Sequence, residues 1–191
     1  MQKIILASQS LRRKQLLEWA EIPFEVIVGT ADESFPADLN VEEIPVFIAR
    51  KKAHSVVQSL KDPKSIILAA DTIVVLGKEV IGKPGNRDHA IEILQSLSGK
   101  QHQVITGVVL LSGGKEVQFA DTTDVFFHTL TNEQIEFYID KYQPYDKAGA
   151  YAIQEWIGVV GIKSVAGDFY NVMGLPVSRV IQELNKLEKR F

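Results

Sequence analysis

Residues 65–77 read Ser65-Ile-Ile-Leu-Ala-Ala-Asp71-Thr-Ile-Val-Val-Leu-Gly77, an apolar run interrupted by one carboxylate. Isoleucine, valine and threonine dominate this run, which predicts a buried strand rather than a helix. A carboxylate inside such a strand is costly unless a cation or hydrogen-bond donors meet it. We therefore expect Asp71 either to lie at the open end of the strand and face a charged ligand, or to be paired inside the core. A capping role in a turn is the plain structural alternative.

The composition limits the classes of function. The chain has 191 residues, a net charge of −3, 46% apolar residues and no cysteine. The lack of cysteine excludes disulfide scaffolds, thiolate nucleophiles and cysteine-ligated zinc, and the mildly acidic balance argues against a nucleic-acid partner. No segment approaches the roughly 20 apolar residues of a membrane span. The start of the chain has no long apolar region typical of a secretory signal and is predicted to be a first strand. The lack of cysteine fits a cytoplasmic protein.

A helix is predicted for residues 11–20, with Ser10 as its N-cap. Arg12 and Arg13 fall in its first turn, where the helix dipole disfavours cations. A bound anion would account for them, because the hydroxyls of Ser8 and Ser10, free backbone N–H groups and two guanidinium groups form a phosphate site. The alternative is a capped surface helix with solvated arginines.

Two further segments carry charges that could serve such a site. The polar loop 29–40 contains Asp32 and Glu33, and Mg²⁺ is typically held by one or two carboxylates plus substrate phosphate oxygens. Either carboxylate is a candidate, although such a loop is usually only solvated. Residues 46–60 have the spacing of an amphipathic helix with a basic stripe of Arg50, Lys51 and Lys52. Most such lysines are only solvated, but one of them could reach back to a cleft around Asp71.

The second half of the chain adds two candidates. In Gly82-Lys83-Pro84, the glycine allows close approach of a ligand and the proline fixes the turn, so Lys83 suits a phosphate. Residues 146–154 are turn-rich and then extended, and the amide of Gln154 matches the amide edge of a nucleobase. An ordinary glutamine at a sheet edge is the alternative. Residues 156–165 are predicted to form a strand, and the four histidines to be structural or exposed.

The order of elements predicts a mixed α/β or α+β fold rather than a simple doubly wound one. Helices alternate with strands, and strand hairpins lie in the middle of the chain. Residues 102–111 and 115–130 are predicted as two strands joined by Ser112-Gly113-Gly114. Thr131–Gln134 forms the sequence of a capping box, which predicts a helix to about Lys141.

Several stretches together resemble the Maf family of nucleoside triphosphate pyrophosphatases. The resemblance covers essentially the whole chain, with the motifs in the family's order. They are Leu6-Ala-Ser8-Gln-Ser10-Leu-Arg12-Arg13-Lys-Gln-Leu16-Leu17, Ala69-Ala-Asp71-Thr72, Gly82-Lys83-Pro84, Ser98-Gly99-Lys-Gln-His102-Gln-Val104-Ile-Thr106-Gly107, Asp146-Lys-Ala-Gly-Ala-Tyr-Ala-Ile-Gln154 and Asn171-Val-Met-Gly174-Leu-Pro176.

The resemblance implies a single Maf-like domain over residues 1–191, with an elongated mixed β-sheet flanked by helices and two lobes around a central cleft, as in inosine triphosphatase-like proteins. It implies hydrolysis between the α and β phosphates of a nucleoside triphosphate substrate, with Mg²⁺ or Mn²⁺ as cofactor, and leaves room for a homodimer. The segment ending at Gln154 is similar to the branch that acts on dTTP and UTP. The branch that acts on 7-methyl-GTP has a different sequence there.

The resemblance also implies roles by position. Asp71 would be the catalytic base and, with Glu33, would hold the metal. Pyrimidine specificity would come from Arg12, Thr72 and Gln154. The phosphates would be contacted by Ser8, Ser10, Arg13, Lys52 and Lys83.

The chain departs from the family pattern at three places. Leu11 replaces a usual proline, Ala152 stands where glycine is common, and Glu155-Trp156 follows Gln154 where glycine is common. The last two bear on the shape of the base pocket. Two other functions remain open at this point: a purine-directed pyrophosphatase of the inosine triphosphate type, and a nucleotide-binding regulator of cell division without turnover.

Overall fold

A computed structural model of the chain describes residues 4–60 and 65–188. Helices and strands follow one another along these ranges. Their bounds are β1 Ile4–Leu6, α1 Leu11–Trp19, β2 Phe24–Val26, α2 Glu43–Val57, β3 Ile66–Leu76, β4 Glu79–Ile81, α3 Arg87–Leu97, β5 Gln101–Ser112, β6 Lys115–Phe127, α4 Asn132–Tyr142, a 3₁₀ turn at Ala148–Ala150, α5 Trp156–Gly161, β7 Ile162–Ala166, α6 Phe169–Met173 and α7 Val177–Glu188.

The strands form one mixed sheet, as the sequence predicts. Their order is β2-β1-β3-β5-β6-β7, and β4 pairs with β3 off this path. Strand β1 runs parallel to both β2 and β3, whereas the β3–β4 and β6–β7 pairs are antiparallel. This combination confirms the mixed α/β class.

Strand β3 confirms the strand predicted around Asp71 and corrects the position of its carboxylate. Asp71 lies in the middle of β3, between buried Ala70 and half-buried Thr72. Of the two predicted alternatives, the position at the strand's end is therefore wrong, whereas the paired carboxylate is observed. Its charge is met instead by a lysine from helix α2, so the strand can continue past it.

The capping residues predicted from the sequence are present at the starts of helices α1 and α4. Ser10 caps α1 by accepting a hydrogen bond from the backbone N–H of Arg13, and the capping box at Thr131–Gln134 is present. Helix α2 begins at Glu43 rather than at residue 46. Pro45 lies in its first turn, where the missing N–H costs nothing because such groups have no partner within the helix.

The strand predicted for residues 156–165 is wrong in its first half, because residues 156–161 form helix α5 and only Ile162–Ala166 form β7. Gly158 explains the helix. A Cβ atom at this position would lie 1.7 Å from the carbonyl oxygen of Ile153, and the N–H of Gly158 donates to the carbonyl of Glu155 at 2.9 Å. The helix therefore depends on a residue without a Cβ atom at this position, and it forms despite the strand preference of the neighbouring β-branched residues.

The chain forms two compact units. The first is drawn from Met1–Asp71, Thr106–Asp121 and Gly174–Phe191, and the second from Thr72–Ile105 and Thr122–Met173. The chain therefore passes from one unit to the other inside β3, β5 and β6, and again after α6. The predicted arrangement of two lobes around a cleft stays a prediction.

In the first unit, helix α2 packs on strands β1, β3 and β5. Their buried apolar residues form one core, made of Ile5, Ala7, Ala49, Ala53, Val56, Ile67, Ala69 and Val109. Gly107 allows β5 to approach the start of α2, because a Cβ atom there would lie 2.2 Å from the backbone nitrogen of Val46. This packing fixes the position of helix α2, which carries Lys52.

In the second unit, helices α3 and α4 pack together, and α3 also contacts the 3₁₀ turn. Leu94 and Leu97 of α3 and Ile135, Tyr138 and Ile139 of α4 are buried. Within residues 4–60 and 65–188, no helix is long and apolar enough to cross a membrane.

Candidate active site

The start of helix α1 is held by a small network of hydroxyl groups. The Ser8 hydroxyl accepts hydrogen bonds from the backbone N–H of Ser10 at 3.2 Å and from Nη1 of Arg13 at 3.3 Å. Both acceptor positions of this oxygen are thereby used, and its own O–H is the group it can donate to a ligand. The Ser10 hydroxyl accepts from the N–H of Arg13 at 3.4 Å. The turn is thus ordered without the proline that Leu11 replaces.

Arg13 is a buried cation that ties this turn to a distant part of the same unit. Its side chain is 8% exposed, and its Nε donates to the carbonyl of Gly174 at 2.8 Å. Burial lowers the pKa of Arg13; the charges of Asp71 and Glu33 oppose this lowering, while Arg12 adds to it. The guanidinium stays charged at neutral pH because its ordinary pKa is above 12.

Lys52 joins the two carboxylates predicted to hold a metal. Its Nζ lies 2.7 Å from Oδ1 of Asp71 and 2.7 Å from Oε1 of Glu33. The side chain of Asp71 is 14% exposed and that of Lys52 is 19% exposed, whereas that of Glu33 is 52% exposed. One ammonium group therefore pairs with two carboxylates at the edge of the interior. We call Arg13, Glu33, Lys52 and Asp71 the charged cluster.

The structure distinguishes between Asp32 and Glu33, the two candidate metal ligands of loop 29–40. Asp32 is engaged within the loop surface: it accepts hydrogen bonds from the backbone and hydroxyl of Ser34 and from Lys51. The bonds from Ser34 are the main cause that lowers the pKa of Asp32 to about 2. Glu33 instead reaches Lys52. Of the two, Glu33 is the one that belongs to the charged cluster.

The first unit thus brings together the predicted residues Ser8, Ser10, Arg12, Arg13, Glu33, Lys52 and Asp71. The remaining predicted residues are Thr72, Lys83 and Gln154, and they belong to the second unit. Thr72 follows Asp71 in β3. Lys83 follows β4, and its loop is fixed by a hydrogen bond of 3.1 Å from the N–H of Gly149 to the carbonyl of Gly82.

Gln154 lies at the tip of a reverse turn rather than on a sheet edge. The N–H of Glu155 donates to the carbonyl of Ala152 at 3.1 Å, which closes a turn over residues 152–155. We call these residues the Gln154 turn. Gln154 is exposed while Ala152 and Ile153 are buried, so the backbone is embedded and the amide is presented to solvent. Helix α5 begins immediately after the turn.

Two supporting contacts in this region lie outside the sequence prediction. Nε2 of His102 lies 2.7 Å from the hydroxyl of Tyr151, and both rings pack against Phe127. The hydroxyl of Tyr138 bonds to Ala152 and Glu155. Tyr151 and His102 do stand inside recognisable motifs, whereas Tyr138 stands in an ordinary helix face and carries no sequence signal.

The described residues contain no group of three or more histidine, aspartate or glutamate side chains that could hold a metal ion alone. The donor set of the charged cluster is two carboxylates. This set suits Mg²⁺ or Mn²⁺ when waters and substrate phosphates supply the remaining oxygens.

Comparisons with known proteins agree over nearly the whole chain. A family model described as Maf-like protein matches residues 3–187. A dTTP/UTP pyrophosphatase of Cytophaga hutchinsonii is 52% identical over 184 residues, which cover 96% of this chain and 84% of that protein. The dTTP/UTP pyrophosphatase of Bacteroides thetaiotaomicron is 50% identical over 186 residues, covering 97% and 96%. Among solved structures, the Staphylococcus aureus Ham1 protein matches 66% of this chain and 72% of its own, with a TM-score of 0.46 and 15% identity.

Proposed function

Because the chain belongs to the Maf family, we propose that it is a pyrophosphatase that hydrolyses dTTP and UTP to the nucleoside monophosphate and pyrophosphate. The relatives with half of their residues identical carry this activity in their names. The structural observation that carries the proposal is the half-buried Asp71, held by Lys52 in a unit that also contains Arg13 and the capped start of α1.

Phosphate binding would depend on the cations and hydrogen-bond donors of the site. A nucleoside triphosphate carries about four negative charges, so its hydrolysis depends mainly on charge neutralisation and in-line positioning. In our proposal the Ser8 hydroxyl, the N-terminal N–H groups of α1, Arg13 and Lys52 bind phosphate oxygens, together with Ser10 and Lys83. Burial makes Arg13 a fixed donor, because its fork is already held by Ser8 and Gly174.

Asp71 would act as the base. Its Oδ1 accepts a hydrogen bond from Nζ of Lys52. A polyphosphate competes for that ammonium group, and a weakened ion pair leaves the carboxylate able to accept a proton. Water then attacks the α-phosphorus, its proton passes to Asp71, and the bond from the α-phosphorus to the bridging oxygen breaks to release pyrophosphate.

We propose Mg²⁺ or Mn²⁺ as the cofactor, held by Glu33 and Asp71. A divalent ion bound there would neutralise phosphate charge and lower the pKa of bound water. Lys52, which bridges these same carboxylates, would keep them close together while the ion is absent.

Base recognition is assigned to Gln154 with Thr72 and Arg12. The amide of Gln154 can donate to a carbonyl and accept from an adjacent N–H, as the edge of uracil or thymine requires. The exposure of this side chain on an embedded turn supports the assignment.

The test is a panel of nucleotides with the purified chain and Mg²⁺, in which released pyrophosphate is counted against monophosphate. We expect the largest kcat/KM for dTTP and UTP, smaller values for 7-methyl-GTP and inosine triphosphate, and no turnover with excess chelator. Stoichiometric nucleotide binding without pyrophosphate release would contradict the proposal and favour a regulator. A preference for either purine would contradict the assigned substrate class.

A further inference from the structure

Both ends of the Gln154 turn are hydrogen-bonded to one side chain, that of Tyr138 in helix α4. Tyr138 of α4 is fully buried, and its hydroxyl accepts a hydrogen bond from the N–H of Ala152 at 3.1 Å. The same hydroxyl donates to the carboxylate of Glu155. Ala152 and Glu155 are the first and last residues of the turn, so a single oxygen fixes the ends between which Gln154 projects.

The hydroxyl, rather than the ring, makes this connection. The Tyr138 ring stacks on Tyr142, with centroids 5.0 Å apart and planes inclined by 24°, and a phenylalanine ring would occupy the same space. The hydroxyl is hydrogen-bonded to both ends of the Gln154 turn. A buried phenol needs hydrogen-bond partners, and here these partners are the two ends of the turn.

Glu155 connects the turn to a second anchor. Its Oε1 lies 3.7 Å from Nζ of Lys147, which also lies 2.8 Å from Asp146. The Glu155 and Lys147 side chains are 22% and 11% exposed. A carboxylate with this little exposure is costly to keep without partners. Tyr138 and Lys147 together therefore hold Glu155, the residue that stands where glycine is common in the family.

We propose that Tyr138, through Ala152 and Glu155, is a positioning residue that sets the preference of the site for uracil and thymine. This inference rests on the proposed function and on the role of Gln154 within it. A paired donor and acceptor on one amide tolerate little displacement, because misplacing either atom loses its bond. A looser turn therefore weakens binding of a base that makes both bonds more than binding of a base that makes neither well.

The experiment compares Tyr138→Phe with Tyr142→Phe, which removes a hydroxyl from the stacking partner on the same helix. The readout is kcat/KM for dTTP divided by kcat/KM for dCTP and for dGTP. We expect Tyr138→Phe to lower these ratios about fivefold, mainly through a higher KM for dTTP. Tyr142→Phe should leave them unchanged. A purely structural role would reduce the active fraction and scale all substrates equally, so the ratios would not move.

Two further variants complete the test. Glu155→Ala removes the carboxylate partner of Tyr138 at a partly exposed site and should lower the same ratios. This variant also tests the inference if Tyr138→Phe does not fold. Gln154→Ala gives the ratio expected when the amide is lost. Ratios in Tyr138→Phe and Glu155→Ala equal to those of the wild type, or an unchanged ratio in Gln154→Ala, would overturn the inference. Failure of the wild type to release pyrophosphate from dTTP would instead overturn the proposed function.

Discussion

In the first unit the candidate carboxylates Asp71 and Glu33 are held by an ammonium group, whereas in the second unit both ends of the Gln154 turn are held by the uncharged hydroxyl of Tyr138. Lys52 lies 2.7 Å from each of two carboxylates, and Arg13 is buried within the electrostatic reach of Asp71 and Glu33. Gln154, in contrast, projects from a turn that the hydroxyl of Tyr138 holds at both ends, with the ion pair of Glu155 and Lys147 beside it. Tyr151, just before this turn, forms a neutral pair with His102.

The difference matches what each half would have to recognise. A polyphosphate tail is a large and mobile charge, and ion pairs can exchange one partner for another as it binds. A nucleobase edge is neutral and directional, so its recognition depends on where one amide is placed. The charged cluster should therefore be sensitive to the loss of charge, and the Gln154 turn to the loss of position.

The largest effect is expected for a substitution of Asp71 in the charged cluster. Asp71→Asn keeps the size of the side chain but removes its ability to accept a proton from water. We expect kcat/KM for dTTP and UTP to fall by about 10³-fold, with the circular dichroism spectrum and the unfolding midpoint close to those of the wild type. Pyrophosphate release measures the rate.

The matched control is Asp38→Asn, an equal loss of charge on an exposed residue of loop 29–40. It should retain the rate of the wild type. A folded Asp71→Asn protein with the same rate as this control would show that Asp71 is not the base.

Arg12 and Arg13, which are adjacent in the first turn of α1, should differ in how much each contributes to nucleotide binding and to the stability of the fold. Arg13→Ala leaves the buried carbonyl of Gly174 and the Ser8 hydroxyl without their donor. We expect the free energy of unfolding to fall by about 2 kcal/mol and KM for dTTP to rise. Arg12→Ala, at a half-buried side chain, should raise KM with little loss of stability. Urea unfolding of both variants measures the difference, and equal losses would contradict the structural role of Arg13.

The neutral pair in the second unit predicts a pH dependence of stability. Burial is the main cause that lowers the pKa of His102 to about 4, while Asp124 opposes it; burial also raises the pKa of Tyr151. The unfolded chain takes up a proton near pH 6.5, whereas the folded protein does not until near pH 4. Stability from this group is therefore present above pH 6.5 and is lost as the pH falls, by about 2 kcal/mol at pH 5.

This prediction is checked by urea unfolding of the wild type and His102→Gln at pH 7.5, 6 and 5. The difference between the two proteins isolates the contribution of His102, and His128→Gln, at an exposed histidine, is the matched control. A wild-type curve parallel to that of His102→Gln over this range would show that the imidazole is not kept neutral by the fold.

Sequence reasoning succeeded where the deciding contacts are local. The cap at Ser10, the box at Thr131–Gln134 and the apolar pattern of β3 each depend on residues a few positions apart, and the structure confirms all three. It failed at residues 156–161, where the close approach of Gly158 to Ile153 decides between helix and strand. Single-residue propensities contain no information about such an approach.

The residues of the candidate site likewise divide into those that the sequence could predict and those that it could not. The family resemblance assigns roles to Lys52, Glu33 and Asp71 by position, and the structure adds that one ammonium group bridges both carboxylates. The family motifs could not indicate Tyr138, because its hydroxyl meets Ala152 across 14 positions and nothing in the α4 pattern distinguishes a bonded tyrosine from a packed one. The sequence left open whether Asp71 ends its strand or is paired within it, because its partner Lys52 lies 19 residues away on helix α2.

The chain crosses between its two units at residues 71–72, 105–106, 121–122 and 173–174. Neither unit is a contiguous piece of sequence, so a new base preference cannot be grafted by exchanging a terminal half of the gene with that of a relative. The first crossing also separates Asp71 from Thr72 inside a strand. Because neighbouring side chains in a strand point to opposite faces, a one-residue insertion there would invert every side chain that follows it in β3. Redesign of substrate choice in this protein must therefore proceed by point substitution at constant length.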